Sequence, residues 1–188
     1  EQDGYVLFLS RLTPAKGVDD LIEGFRASAS SERVRLVIAG NGPALPELRA
    51  LAGDDDRIVF LTDVDDAEKP LLMAGCATYV LPSKPRPEFV ETFGIAQVEK
   101  MLAGGGPVIT TETGGIGEAV GDTAITIRAG DPRSITRAID HAVLDLDPES
   151  RRSLAARARA HALQFDRVNV FDRLFTHIVD DPVVSAVA

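Results

Sequence analysis

Six short, uninterrupted apolar runs constrain this chain more than any other feature. They lie at 5–9, 34–39, 58–61, 78–81, 108–110 and 124–127, and each is followed by a Gly, Pro or Asp break and then by apolar residues at helical spacing. A strand with one face in water alternates apolar and polar residues. A run that does not alternate must be covered on both faces, which is the condition of a parallel sheet flanked by helices. Helical spacing falls at 18–28, 45–51, 67–73, 94–102 and 132–144, with a short turn near 117–120. The alternation predicts an α/β fold, a Rossmann-like doubly wound parallel sheet. Beyond Asp147-Pro148 the pattern is helical only, over 149–163 and 168–179, and 181–188 reads as a frayed tail.

A chain of 188 residues has the length of one domain, and with 45% hydrophobic residues it can fold without disulfides or a structural metal. Cys76 is the only cysteine, which leaves no internal disulfide, and with His141, His161 and His177 it does not make a Cys/His zinc set. The net charge of -9 argues against a general nucleic-acid or anionic-membrane surface, since such partners draw on excess Lys and Arg. An anionic ligand would have to be held by a few placed cations. No apolar stretch approaches the ~20 residues of a membrane span, and a soluble, cytoplasmic protein is expected. The chain begins at Glu1 with an apolar run from Tyr5, and reads as part of something longer.

In open parallel sheets, ligands gather at the carboxyl ends of the strands. Ser10-Arg11-Leu12-Thr13-Pro14-Ala15-Lys16-Gly17 follows the first strand and puts two cations in one tight turn. A guanidinium fork and a mobile ammonium suit a diphosphate whose charge grows as it leaves. A solvated loop ending in a helix-start glycine is the plainer alternative. Ala39-Gly40-Asn41-Gly42-Pro43 imitates a dinucleotide fingerprint, with Asp63 downstream, but Leu45 stands where the third glycine belongs and the strand is the second one. NAD binding is its weaker reading. Asp63-Val64-Asp65 is a literal Asp-x-Asp that could hold a divalent cation, whereas Asp66 as N-cap of the helix at 67–73 needs no metal. Asp54-Asp55-Asp56 reads as a solvated turn.

The richest stretch is Glu91-Thr92-Phe93-Gly94-Ile95-Ala96-Gln97-Val98-Glu99. Glu91 precedes a helix whose first turn is Phe93-Gly94-Ile95-Ala96, where Gly94 permits close approach and the following N–H groups face an anion. At ~1.5 Å rise per residue the two glutamates lie about 12 Å apart, too far to share a proton and suited to the two ends of an extended ligand. A pair of surface glutamates is the alternative that spacing leaves open.

With seven residues between them, Glu91 and Glu99 resemble the E-x7-E motif of retaining, metal-independent GT-B glycosyltransferases of family 4. The resemblance runs in order through Ser10-Arg11-Leu12, Lys16-Gly17, Val37-Ile38-Ala39-Gly40-Asn41-Gly42, the 60–69 stretch, Leu81-Pro82-Ser83, Gly106-Pro107-Val108-Ile109, Gly114-Gly115 and Glu118. It implies that 1–180 is the C-terminal donor-binding domain of a two-domain enzyme, with 181–188 a flexible tail and the N-terminal acceptor-binding domain outside this chain. It also implies that Arg11 and Lys16 hold the donor diphosphate, Glu91 contacts the donor sugar and Glu99 takes the ribose hydroxyls. Backbone N–H groups around Gly94, Ile95 and Ala96 would meet the diphosphate, and backbone at Val64 the base. Gly40, Asn41 and Phe93 join the nucleotide-sugar-binding set. No metal and no cofactor is implied beyond a nucleotide-sugar co-substrate. Ser10 stands where the family has Gly, and Lys100 where it has Ala.

The block 76–111, above all Leu81-Pro82-Ser83-Lys84-Pro85-Arg86-Pro87-Glu88-Phe89-Val90-Glu91-Thr92-Phe93-Gly94, also resembles the subfamily that glycosylates 2-deoxystreptamine in aminoglycoside antibiotic biosynthesis. That implies UDP-N-acetylglucosamine or a related UDP-hexose such as UDP-glucose as donor, and an aminocyclitol as small-molecule acceptor. A UDP-sugar epimerase of the same architecture and a non-catalytic nucleotide-binding module remain open. Elsewhere, Gly104-Gly105-Gly106 and Gly114-Gly115 lack a following Gly-Lys-Ser/Thr and read as tight connections. Arg151, Arg152, Arg157 and Arg159 read as a solvated helix face with Leu154, Ala158 and Leu163 inward. The histidines fall on helices away from the strand-end loops, and Met73, Met101 and Cys76 read as core.

Overall fold

Each of the six apolar runs becomes a strand. The computed structural model describes residues 4–87 and 91–166. In it β1 (Tyr5–Leu9), β2 (Arg35–Ala39), β3 (Ile58–Leu61), β4 (Thr78–Leu81), β5 (Val108–Thr111) and β6 (Ile125–Ile127) form one sheet in the order β3-β2-β1-β4-β5-β6. All neighbours pair in parallel. The central strands are covered on both faces as the continuous runs require: Val6, Leu7, Phe8, Tyr79 and Val80 expose no surface. Each such side chain contributes ~1.5–3 kcal/mol by leaving water. Met73, Met101 and Cys76 are buried among them.

The helices are α1 (Val18–Arg26), α2 (Leu45–Ala52), α3 (Glu68–Gly75), α4 (Ile95–Ala103), α5 (Ile116–Val120), α6 (Pro132–Asp140) and α7 (Pro148–Ala162). From the sheet centre the chain steps one way through β2 and β3 and the other way through β5 and β6. Right-handed crossovers therefore put α1 and α2 on one face and α3, α4 and α5 on the other. The contacts agree: α6 packs beside α1, and α7 lies on α4 and α5.

Helix ends depart from the expected ones where tertiary partners intervene. The segment expected at 18–28 leaves the α-helix at Arg26 and continues in a 3-10 turn, Ala29–Glu32, because Asp140 of α6 accepts from Ser30 N (2.9 Å), Ser30 Oγ (2.7 Å) and Ala29 N (3.2 Å). The segment expected at 132–144 ends its α-helix at Asp140 and widens to π spacing over His141–Asp145. The helix expected at 168–179 and the tail at 181–188 lie outside the described residues.

Five side chains read as solvated or unremarkable also act as staples, Arg157 and Arg159 while remaining exposed as expected. The arginines of α7 donate to carbonyls at or just past the ends of neighbouring helices: Arg151 to Ala142 O (3.0 Å), Arg157 to Asp122 O (3.1 Å) and Arg159 to Leu102 O. Leu163, expected inward, is exposed. Lys100 is buried, donating to Gly106 O (2.8 Å) and Gly104 O, and burial pushes its pKa down. Asp55 is turned in from its acidic run: Arg57 holds it through two bonds of 2.9 Å and Arg26 through one of 3.1 Å. Arg26 also donates to Leu51 O and Ala52 O at the end of α2.

The bonds from Arg57 first, and then from Arg26, hold the Asp55 carboxyl well below the usual range. A group whose folded pKa is depressed stabilises fully above its unfolded value and less as pH falls through the folded one. Asp55→Ala should therefore cost about 1–3 kcal/mol at neutral pH, measured by urea unfolding. The difference from wild type should shrink as pH drops below the ordinary carboxylate value of 3.8.

Candidate functional site

β1 and β4 are neighbours, yet the chain leaves them toward opposite faces of the sheet, which opens a crevice at their carboxyl ends. Bordering it are residues 10–17 after β1 and, after β4, residues 82–87 and 91–94. Lys16 closes a 3-10 turn, Pro14–Lys16, and its Nζ forms an ion pair with Glu91 Oε2, bringing together two residues 75 positions apart. Both side chains are largely buried, 13% and 18% exposed. The backbone of Glu91 is held as well, its carbonyl accepting from Gly115 N at 2.9 Å.

Arg11 is exposed and lines an open cleft of ≈ 320 Å³ with Gly40, Asn41, Thr62, Val64 and Lys69. Gly40 is there for backbone reasons. Its φ is +135°, and a Cβ would stand 2.0 Å from Ser10 O. The β1 loop rides on it, with Leu12 N donating to Asn41 O at 2.9 Å. A second hollow of ≈ 610 Å³ adjoins through Thr62 and Val64, walled by Phe60, Leu71, Leu72 and the carboxylates of Asp63 and Glu68.

Lys69 was not among the residues singled out from the sequence. Its Nζ donates to Asp66 Oδ1 at 2.6 Å, and chiefly this bond, with the charges of Asp66, Glu99 and Asp65 adding, raises its pKa. Glu99 is thus near enough for its charge to act on Lys69. The local signal was only an acidic residue three positions before a lysine. The cap of α3 is likewise one residue from the expected one: Asp65 Oδ1 accepts from Ala67 N (2.9 Å) and Glu68 N (2.8 Å), while Glu68 Oε2 accepts from Asp65 N. This reciprocal box occupies Asp65 of the Asp-x-Asp. Among the described residues no three His, Cys, Asp or Glu side chains are grouped to hold a metal ion.

Gly94 is the N-cap of α4 and brings no side-chain acceptor to its first turn, so the N–H groups at Ile95 and Ala96 are left for a ligand or solvent. Ile95 is exposed. The ring of Phe93 packs edge-on against Phe165, centroids 4.9 Å apart, and the Thr92–Phe93 backbone lies tight against Gly115. Below lies Tyr79, fully buried, its hydroxyl donating to Leu9 O at 2.9 Å. Burial above all, with Cys76, Glu99 and Glu91 adding, pushes its pKa up. Both motif glutamates thus stand near one buried ring. His161 sits apart, 3.1 Å from Glu118 O and edge-on to Phe165, and His177 lies outside the described residues.

The family model for glycosyl transferases group 1 matches residues 3–145. The chain belongs to this family. Over 158 residues this group 1 glycosyl transferase is 35% identical to the GDP-mannose-dependent alpha-(1-6)-phosphatidylinositol monomannoside mannosyltransferase of Mycobacterium tuberculosis, covering 80% of this chain and 40% of that protein. It is 29% identical over 165 residues to N-acetyl-alpha-D-glucosaminyl L-malate synthase of Bacillus anthracis, covering 85% of this chain and 40% of the synthase. Among solved structures it is similar to Anabaena Alr3699/HepE in complex with UDP and glucose, with a TM-score of 0.79 and 26% identity over 95% of this chain and 48% of that one. The chain spans less than half the length of these relatives.

Gly40→Ala in this chain should lower stability by more than about 1 kcal/mol, because the new Cβ meets backbone and the backbone conformation is strained at once. Denaturant midpoints measure it; an unchanged midpoint would show that the β1 loop yields freely.

Proposed function

We propose that this chain is the donor-binding half of a retaining, metal-independent hexosyltransferase that uses a uridine diphosphate sugar. The observation that carries the reading is the meeting of Lys16, Glu91 and the uncapped start of α4 at the divergence of β1 and β4. The UDP and glucose bound by the Anabaena relative support uridine and a hexose. In this reading the diphosphate lies between Arg11, Lys16 and the N–H groups at Gly94, Ile95 and Ala96. Glu91 takes the sugar, Glu99 the ribose and Val64 the base, with Gly40, Asn41 and Phe93 as backbone walls. The bond from the anomeric carbon to the diphosphate oxygen breaks with its electron pair leaving on the diphosphate, while the acceptor hydroxyl oxygen bonds to the same face of that carbon and its proton passes to the departing diphosphate oxygen. The cations and the helix start stabilise the leaving charge more in the transition state than before it. No divalent cation is required for that.

The acceptor we infer is an aminocyclitol, on the likeness of the 82–94 loop to the 2-deoxystreptamine enzymes, held by a further domain facing this one. Transfer is favoured over epimerisation because the relatives are named as transferases and a synthase.

Metal-free calorimetry of the chain against UDP, GDP, ADP and NAD tests the reading: UDP should bind, and tight NAD binding without response to UDP or GDP would sink it. Glu99→Ala should weaken UDP binding, and unaltered affinity would remove the ribose role. In the intact enzyme Lys16→Ala should lower kcat by roughly 10²–10³, as for loss of one preorganised charge donor.

A further inference from the structure

The loop that carries Arg11 and Lys16 rests at its start on the loop after β2, through Leu12 and Asn41, and at its end on the segment that follows β4. Lys84 N donates to Ala15 O at 2.7 Å. Gly17 lies so close beneath that a Cβ there would stand 2.1 Å from Pro82 O. Ser83 is anchored from behind, its carbonyl accepting from Thr111 Oγ1 at 2.7 Å. The side chain of Lys84 then reaches across to the first turn of α1, with Nζ 2.8 Å from Asp19 Oδ2 and 2.9 Å from Asp20 Oδ2.

This is not an ordinary surface pair. Lys84 is 16% exposed and Asp20 13%, while Asp19 is half exposed, so the Lys84–Asp20 pair is held mostly out of water, where removing one partner strands the other. Burial works against the ammonium, and the two carboxylates more than offset it, leaving the Lys84 pKa above its ordinary value. Asp19 and Asp20 already sit favourably at the start of α1. A lysine from another loop is not needed to stabilise that helix. What it adds is registry between the loop ending in Lys16 and the segment 82–84.

We propose that Lys84 is a positioning residue: by clamping Asp19 and Asp20 it sets the loop of Arg11 and Lys16 against the segment 82–84 that leaves β4, and so fixes where the two cations that grip the donor diphosphate stand at the crevice. The diphosphate role rests on the donor-site reading above; the clamp itself does not.

The test compares Lys84→Met and Lys84→Arg in this chain by hydrogen exchange and by calorimetry with UDP and with uridine, which lacks phosphates. Lys84→Met should speed exchange at the amides of residues 16, 17 and 84 while those of central β1 and β4 keep their protection. UDP affinity should fall about tenfold, the loss expected when one charge-assisted contact is misplaced, with uridine affinity unchanged. Lys84→Arg should restore both. The Asp19→Asn, Asp20→Asn double variant, which keeps the lysine, should reproduce Lys84→Met and serves if that variant fails to fold. Unchanged exchange at 16, 17 and 84, or equal loss of UDP and uridine, overturns the proposal. A wild-type chain that takes neither ligand overturns the donor reading instead, and exchange still decides whether Lys84 holds the loop.

Discussion

In a parallel sheet every strand runs the same way, so each connection must carry the chain back across a face before the next strand can begin. All the loops that follow strands therefore collect at one edge, whatever their sequence. In this protein the order β3-β2-β1-β4-β5-β6 makes the crossovers diverge at β1 and β4, and there the edge splits into a crevice. Lys16 and Glu91, distant in sequence, face each other because of that split and for no local reason. The covered faces that force the strands to be continuously apolar thus also force the polar residues to one rim.

The rim is knitted by backbone. Loops at a buried edge carry N–H and C=O groups that must be paired, and here they pair with one another: Leu12 N with Asn41 O, Gly40 N with Leu61 O, Lys84 N with Ala15 O and Gly115 N with Glu91 O. Successive loops become a single surface. Gly40 and Gly17 occur where these loops touch backbone to backbone, so the glycines that look like a nucleotide fingerprint answer first to packing between loops. A ligand at this rim meets groups already fixed in relation to each other, which is the condition for stabilising charge that develops only as a bond breaks.

What could be read from the sequence follows from what is local. The strands fall within one residue of the apolar runs because burial on both faces leaves its mark on every residue of a run. Helix ends and caps do not: Asp140 draws residues 29 and 30 out of α1, and Asp65 rather than Asp66 caps α3, decisions made by geometry over distances that no window of residues contains. The same holds in the site. Glu91, Glu99, Arg11 and Lys16 were visible as motif and charge. Lys69, Lys84 and the inward turn of Asp55 were not, because a lysine or an aspartate looks the same in sequence whether it faces water or a partner across the fold.

The pairing of Lys16 with Glu91 carries the electrostatic logic furthest. An ammonium at 13% side-chain exposure attracts an anion strongly because little water screens it, and for the same reason it cannot rest uncompensated. A carboxylate close by meets that need in the chain as it stands. The acidic net charge has the matching effect at longer range: it disfavours polyanions at the surface as a whole, while Lys16 stays recessed in the crevice. Under the proposed donor reading Glu91 is doubly engaged, as partner to Lys16 and as the residue that takes the sugar. Removing its charge alters the state of Lys16 as well, so the effects of substituting the two residues cannot add as if they were independent.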